Sequence, residues 1–164
     1  MNLKAPEISI IIRTYNEERW IAHCLAAIFS QDFDSFEVIL VDNNSTDHTV
    51  EVAKRYPVAT VLNIDKFFPG KAINDGIRAS TGNYIVCISA HCIPKDKHWL
   101  QNLYNNFDEN EKLAGVYGRQ LPLSYTSDAD KRDLLISFGQ DKKVQLKDYF
   151  FHNANSVIRT SFWS

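Results

Sequence analysis

Three short polar clusters break the apolar runs of this chain: Arg13-Thr14-Tyr15-Asn16-Glu17, Asp42-Asn43-Asn44-Ser45-Thr46-Asp47 and Ser89-Ala90-His91-Cys92. Each follows directly on a β-branched stretch that reads as a strand, namely Ile8 to Ile12, Glu37 to Val41 and Tyr84 to Ile88. In an open parallel sheet, ligands sit beyond the carboxyl ends of the strands, so the three clusters should converge on one edge. Carboxylates, amides, hydroxyls and an imidazole gathered there would recognise a polar ligand by hydrogen bonds. The turn after the first strand contains no glycine, which excludes the Gly-x-Gly-x-x-Gly turn of dinucleotide-binding domains, and no Gly-x-x-x-x-Gly-Lys loop occurs either. The formal charge is −2, from 18 Lys and Arg against 20 Asp and Glu, which leaves no positive surplus for a nucleic-acid backbone or an anionic membrane. Any anionic ligand must be held by a few placed groups.

The elements that must position these clusters follow from periodicity. A fourth apolar run, Val58 to Leu62, completes a set of strands read as buried on both faces. Between the first two strands Trp20, Ile21, Cys24, Leu25, Ile28 and Phe29 fall on one helical face. A second helix is predicted after the capping side chains of Asn43-Asn44-Ser45-Thr46, through Val50 and Ala53, stopping at Pro57. A third begins near Pro69, turns Ala72, Ile73, Gly76 and Ile77 inward and ends at Gly82. A fourth covers Asp96 to Phe107, and a strand is expected over Leu113 to Gly118. Strict alternation of this kind predicts an α/β fold, a mostly parallel sheet flanked by helices. Beyond Arg119 the pattern loosens into a loop over Leu121 to Ser127, a helix over Asp128 to Phe138, and a late strand or turn within Phe150 to Arg159.

With 164 residues, 45% hydrophobic and 23% charged, the composition is that of one ordinary globular domain. The longest apolar runs fall far short of the roughly 18–20 residues that a membrane span requires. The first residues, Met1 to Glu7, show no apolar signal region, so the expected location is the cytoplasm, or the inner membrane face as a peripheral protein. Cys24, Cys87 and Cys92 are odd in number, without Cys-x-x-Cys spacing, and Cys24 and Cys87 lie on apolar faces; buried thiols are expected rather than a disulfide or zinc site. The chain ends on Ser161-Phe162-Trp163-Ser164 without a stop signal before the aromatic pair, and Tyr149-Phe150-Phe151 adds more apolar surface; truncation or an unusually short chain is the expectation.

Taken in order, Ile10-Ile11-Ile12-Arg13-Thr14-Tyr15-Asn16-Glu17-Glu18, Val41-Asp42-Asn43-Asn44-Ser45-Thr46-Asp47, Gly70-Lys71-Ala72-Ile73-Asn74-Asp75-Gly76 with Ala79 and Gly82, and Trp99-Leu100 after Pro94 resemble the family-two nucleotide-sugar glycosyltransferases of GT-A fold. The resemblance covers the first two-thirds best. Gly118-Arg119-Gln120 and Asn153 to Arg159 resemble the acceptor-side half of such enzymes. It implies a single GT-A-like domain over 1–164, with a nucleotide-binding half (1–107) and a partial acceptor-side region (108–164). The implied activity is inverting transfer of a sugar from a nucleoside diphosphate donor to a glycan or lipid-linked acceptor.

The resemblance also implies roles. Thr14, Tyr15, Asn16 and Glu17 would border the nucleotide, with Asn44 beside them, and Asp42 would accept a hydrogen bond from base or ribose. The bland reading of Asp42 is a solvated turn or capping carboxylate, and that of Glu17 a first-turn acid favoured by the helix dipole. Lys71, one residue after Gly70 at a helix start, would stand nearest the diphosphate, or is a surface lysine. Asn74 reads equally as a plain helix-face residue. Arg119, Asn153 and Asn155 would line the acceptor side, or serve strand pairing and turns.

One departure concerns metal. Most members carry Asp-x-Asp after the fourth strand, to help bind Mn²⁺ or Mg²⁺ at the leaving diphosphate. Here Ser89-Ala90-His91 stands in that place. His91 could ligate a softer metal, touch phosphate when protonated, or be a hydrogen-bonded loop residue. The resemblance also implies a base from an acidic segment beyond residue 164; Asp128, Asp130 and Asp133 have the spacing of an exposed helix face, and the catalytic base stays unassigned. The alternative is a nucleotide-sugar-binding module that is catalytically incomplete.

Overall fold

Strands that are apolar on both faces need cover on both faces, and the chain supplies it from the helices that connect them. A computed structural model describes residues 5–66, 68–108, 111–147 and 150–163, so Met1 to Lys4, Tyr149 and Ser164 lie outside the described residues. In chain order the elements are β1 (Ile8–Thr14), α1 (Ile21–Phe29), β2 (Phe36–Asp42), α2 (Thr49–Ala53), β3 (Thr60–Asn63), α3 (Pro69–Arg78), β4 (Tyr84–Ser89), α4 (Trp99–Tyr104) continued by a 3₁₀ turn (Asn105–Phe107), β5 (Gly115–Tyr117), α5 (Asp128–Phe138) and β6 (Asn155–Arg159). They form one sheet of order β3-β2-β1-β4-β6-β5.

The period of two along β1 divides the core. Ile10 and Ile12 join Leu25, Ile28, Leu40, Val86 and Leu100 on one face, whereas Ile11 joins Ile39, Val41, Ile73 and Cys87 on the other. The first face is covered by α1, α2 and α4, the second by α3. Parallel pairing of Thr14 with Asp42 and of Arg13 with Ser89 brings the ends of β1, β2 and β4 level.

Several details depart from the sequence reading. The sheet is mixed rather than simply parallel: β6 runs antiparallel between β4 and β5, pairing Val86 with Val157 and Val116 with Val157. The strand expected over Val58 to Leu62 is Thr60–Asn63 and is only half-buried, because it forms the sheet edge. The fourth helix starts at Trp99, since Asp96 stays outside and its Oδ1 accepts from the His98 N–H at 3.0 Å. Asn43 to Thr46 do not cap α2; Asp47 accepts from the Thr49 N–H at 3.0 Å instead. The burial of Cys24 and Cys87 is as expected.

Gly82 does not end α3, which stops at Arg78, and its φ is not positive. Its requirement is spatial: a Cβ there would lie 2.7 Å from the Ser9 nitrogen and 2.9 Å from the Ile8 carbonyl carbon. Backbone of the central strand cannot yield as a flexible side chain could. Gly82→Ala is therefore expected to destabilise the fold by about 1–3 kcal/mol, the usual range for overpacking, read in urea as a lower midpoint with unchanged slope.

Candidate functional site

The strand order places the topological switch point between β1, from which the chain winds outward to β3, and β4, to which it returns. At the carboxyl ends of these strands the loops after β1 and β2 are stitched to one another. The Asn16 N–H donates to Ser45 Oγ at 2.9 Å, while Asn16 Oδ1 accepts from the Thr46 N–H at 2.8 Å. Next, the Glu17 N–H donates to Thr49 Oγ1 at 2.7 Å, and the Glu18 N–H to Asp47 Oδ2 at 3.1 Å. Returning the contact, the His48 N–H donates to Glu18 Oε2 at 3.0 Å.

Two residues in this clasp have left-handed backbone, Asn16 at φ 51° and Asn44 at φ 53°. Asparagine is among the few side chains that tolerate that region, so turns without glycine still close tightly. Asn44 also reaches the loop after β3, its Nδ2 donating to Asp65 Oδ1 at 3.2 Å.

Asp42 is 2% exposed, so it is not a solvated turn residue. Its Oδ2 accepts from the Ser45 N–H at 2.9 Å and its Oδ1 from the Ser45 hydroxyl at 2.5 Å, which fixes the start of the loop. Thr14, 4% exposed, leaves its buried hydroxyl without a partner among the described residues. Tyr15 by contrast is exposed at the rim. Across the switch point Glu17 Oε1 lies 2.8 Å from His91 Nδ1, joining the ends of β1 and β4. Ser89 is half-buried, and its carbonyl accepts from the Cys92 N–H at 2.9 Å.

The other anticipated residues are placed unevenly. Lys71 pairs with Asp75 one turn along α3, and Arg78 pairs with the same carboxylate at 2.5 Å. Asn74 accepts from the Trp163 indole at 3.2 Å. The Asn155 side chain is committed to packing: its Oδ1 accepts from Trp99 Nε1 at 2.8 Å and its Nδ2 donates to the Arg119 carbonyl at 3.3 Å. Gly118 permits this, since a Cβ there would lie 2.6 Å from Asn155 Nδ2. Arg119 and Asn153 are exposed. Asp128, Asp130 and Asp133 are exposed on α5, which buries no residue.

Sequence reasoning gave no individual role to Arg13, Glu18, Thr49 or His152, and read Ser45 only as one of the capping side chains before α2. Arg13 had a visible signal, a lone charge closing an otherwise apolar strand; the loop partners had none, because their pairing spans about thirty residues of sequence.

Charge follows the same geometry. Hydrogen bonds from the His48 backbone and then its ring hold Glu18 below the usual carboxylate range, and Glu18 in turn raises His48. For Asp47 burial acts upward, but hydrogen bonds from Thr49 and from the Glu18 backbone outweigh it and lower the pKa. Burial pushes Cys24 up to about 12 and Cys87 to about 11, so neither supplies a thiolate nucleophile. For a divalent ion, the donors at this edge are Glu17 and His91, already bonded to each other, whereas both oxygens of Asp42 are occupied by Ser45. No group of three His, Cys, Asp or Glu fit to hold a metal occurs among the described residues. This donor set does not fit a resident divalent ion of the hard-oxygen type.

A cavity of about 620 Å³ lies at the opposite, amino edge, between Glu7, Gly82, Tyr84 and Thr160. Its polar groups serve sheet closure: Thr160 Oγ1 donates to the Gly82 carbonyl at 2.8 Å and Arg159 to Tyr84 Oη at 3.0 Å. The convergent groups lie at the carboxyl edge.

The profile of the family described as Glycosyl transferase family 2 matches residues 9–163. The chain belongs to that family. A dolichyl N-acetyl-alpha-D-glucosaminyl phosphate 3-beta-D-2,3-diacetamido-2,3-dideoxy-beta-D-glucuronosyltransferase of Methanococcus voltae is 31% identical over 160 residues, 89% of this chain and 50% of that protein. The poly(ribitol-phosphate) beta-N-acetylglucosaminyltransferase TarS of Staphylococcus aureus is 29% identical over 131 residues, 72% of this chain and 23% of TarS. The chain thus spans half or less of the length of these relatives. Among solved structures, the mannosyltransferase PcManGT from Pyrobaculum calidifontis in complex with GDP-Man and Mn²⁺ matches with TM-score 0.70 at 21% identity, over 95% of this chain and 45% of that one. S. aureus TarS 1-349 in complex with UDP-GlcNAc matches with TM-score 0.64 at 24% identity, over 94% of this chain and 46% of that one. The fold of this family 2 chain is accordingly the GT-A fold.

The clasp makes a titration prediction. The Glu18–His48 contribution to loop stability is present in full below the unfolded histidine value, about 6.5, and is lost as pH rises through the raised His48 value; it is also lost as pH falls below about 4.3 through the lowered Glu18 value. Glu18→Gln should return the His48 titration, followed by NMR, to the ordinary imidazole range.

Proposed function

We propose that the carboxyl edge binds a nucleoside diphosphate sugar and that the complete protein transfers the sugar, with inversion, to a hydroxyl on a glycan or lipid-linked acceptor. The observation that carries this reading is the hydrogen-bonded clasp of the post-β1 and post-β2 loops at the switch point, built around buried Asp42. In this assignment Thr14, Tyr15, Asn16, Glu17, Asp42 and Asn44 border the nucleoside. Lys71 serves the diphosphate from the start of α3, with Ser89 and His91 along its path. Arg119 and Asn153 face the acceptor, and Asn155 positions the Arg119 turn. Residues 1–107 form the nucleotide half and 108–164 part of the acceptor side.

Inverting transfer is one displacement. The acceptor oxygen bonds to the anomeric carbon from the face opposite the diphosphate, the bond from that carbon to the phosphate oxygen breaks, and its electron pair leaves with the diphosphate. The hydroxyl proton passes to a carboxylate. On α5, Asp128, Asp130 and Asp133 are ill suited to receive it, being exposed and tied to helix-end contacts such as Ser127 Oγ with Asp130 at 2.7 Å. His91, with Lys71, is suited to touch the leaving diphosphate. No step here is routed through a metal, although PcManGT is seen with Mn²⁺.

The acceptor class takes its support from the relatives, whose names specify a dolichyl-linked sugar phosphate and a poly(ribitol-phosphate). The same reading puts the chain in the cytoplasm or peripherally at the inner membrane face, without nucleic-acid partners; among the described residues no helix is long and apolar enough to cross a membrane. A donor-binding module without turnover is the second reading, favoured by the engagement of Glu17 and Asp42 in structural hydrogen bonds.

Calorimetry with UDP and with GDP, each with and without Mn²⁺, tests the proposal. Binding of at least one nucleotide is expected, weakened roughly tenfold (about 1.4 kcal/mol) in His91→Ala and more in Asp42→Asn, which loosens the loop. Absence of binding to either nucleotide would sink the donor assignment, and unchanged affinity in His91→Ala with and without Mn²⁺ would remove His91 from it. Binding without sugar transfer or hydrolysis by the full-length protein would select the module reading.

A further inference from the structure

Arg13 closes β1 on the α3 face of the sheet, at the carboxyl edge, and points across the end of β4 toward the segment that leads into β6. Its only hydrogen bond among the described residues is from Nη2 to Asn153 Oδ1 at 3.4 Å. The Nε atom is buried and has no partner among the described residues. No carboxylate among the described residues lies within ion-pair distance. The acidic groups that act on its charge are the thiols of Cys87 and Cys92, and burial raises both, so they are neutral at pH 7. Half-buried guanidinium without a counter-charge is costly, because charges removed from water are normally paired.

The groups around it are donors as well. His152 Nδ1 accepts from the Ala154 N–H and faces Gln120 Nε2, both at 3.3 Å. That fixes the tautomer with the proton on Nε2, leaving an N–H donor. Burial, and then the charge of Arg13, lower the His152 pKa, so this ring stays neutral at pH 7 while the guanidinium stays charged. Asn153 uses its oxygen on Arg13, which leaves its NH₂ free to donate. Apart from Asn153 Oδ1, the described residues offer the charged fork no hydrogen-bond acceptor, and the adjoining His152 and Asn153 each keep a donor.

We infer that Arg13, His152 and Asn153 form an oxyanion subsite that takes a phosphate group from a substrate, on the acceptor side of the switch point. The inference deepens the glycosyl-transfer reading and rests on it for the substrate. Phosphate at this edge has two possible sources, the acceptor and the donor diphosphate, and both present the same tetrahedral oxyanion to a guanidinium fork.

The test titrates the folded chain with inorganic phosphate, followed by NMR of the Arg13 Nε–H, the Asn153 side-chain amide and the His152 ring. Saturable shifts at these three groups are expected, with at least tenfold weaker binding in Arg13→Gln at an unchanged melting temperature. Asn153→Asp is the second variant: it sets a carboxylate against Arg13 from an exposed position and should abolish phosphate binding even if Arg13→Gln does not fold. No saturable response at these groups, or phosphate binding undiminished in a folded Arg13→Gln or in Asn153→Asp, overturns the subsite. A parallel UDP titration separates the sources: competition with phosphate assigns the subsite to the donor diphosphate, and simultaneous binding assigns it to the acceptor. Because UDP reports on the Thr14–Glu17 and Asp42–Thr46 amides independently, failure of the subsite and failure of donor binding are read apart.

Discussion

The site depends on a buried carboxylate that holds the loop after it. Asp42 ends β2 with both oxygens engaged by Ser45, and Ser45 in turn receives the Asn16 N–H from the loop after β1. The carboxylate is removed from water, a cost that its two hydrogen bonds must offset, and the offset exists only while the loop keeps its shape. Strand pairing of Thr14 with Asp42 sets the two loop origins side by side, and the asparagines in left-handed backbone turn them toward each other. The rest of the edge, including the Glu17–His91 contact across the switch point, is built outward from that junction.

Much of this was legible in the sequence. Apolar runs followed by polar clusters gave the strands and the edge at which they end, and all five helices lie within the predicted segments, α5 with the same bounds and the others with shorter ones. What differs in α2 is the cap, which Asp47 supplies rather than the residues before it. Less legible was whatever depends on partners distant in sequence. β6 looked like a turn or a strand because its antiparallel place between β4 and β5 is decided by tertiary pairing, through Val157 with Val86 and Val116. Likewise a lone arginine at the end of β1 means little until the segment around His152, about 140 residues away, comes to lie beside it. Asn155 shows the converse: its motif position suggested a ligand contact, and its amide is occupied by Trp99 and the Arg119 carbonyl.

Two kinds of electrostatic environment thus adjoin along one edge. On the clasp side, carboxylates meet backbone N–H groups, hydroxyls and His48. Beyond β4 the order is reversed: the Arg13 guanidinium has the Asn153 amide oxygen as its hydrogen-bond partner and no carboxylate in an ion pair among the described residues. A substrate pair in which one member offers hydroxyls and base N–H groups and another phosphate would complete both. The ring of Phe150 and, from α5, that of Phe138 pack beside His152 and so border the second region.

The central claim is that the nucleotide lies over the carboxyl ends of β1 and β2. Hydrogen exchange of backbone amides, with and without a saturating nucleoside diphosphate, tests it most directly. Increased protection at residues 14–18 and 43–49, with little change elsewhere in the sheet, is the predicted result. Protection concentrated instead at the amino-edge cavity around Gly82 and Thr160 would contradict the account.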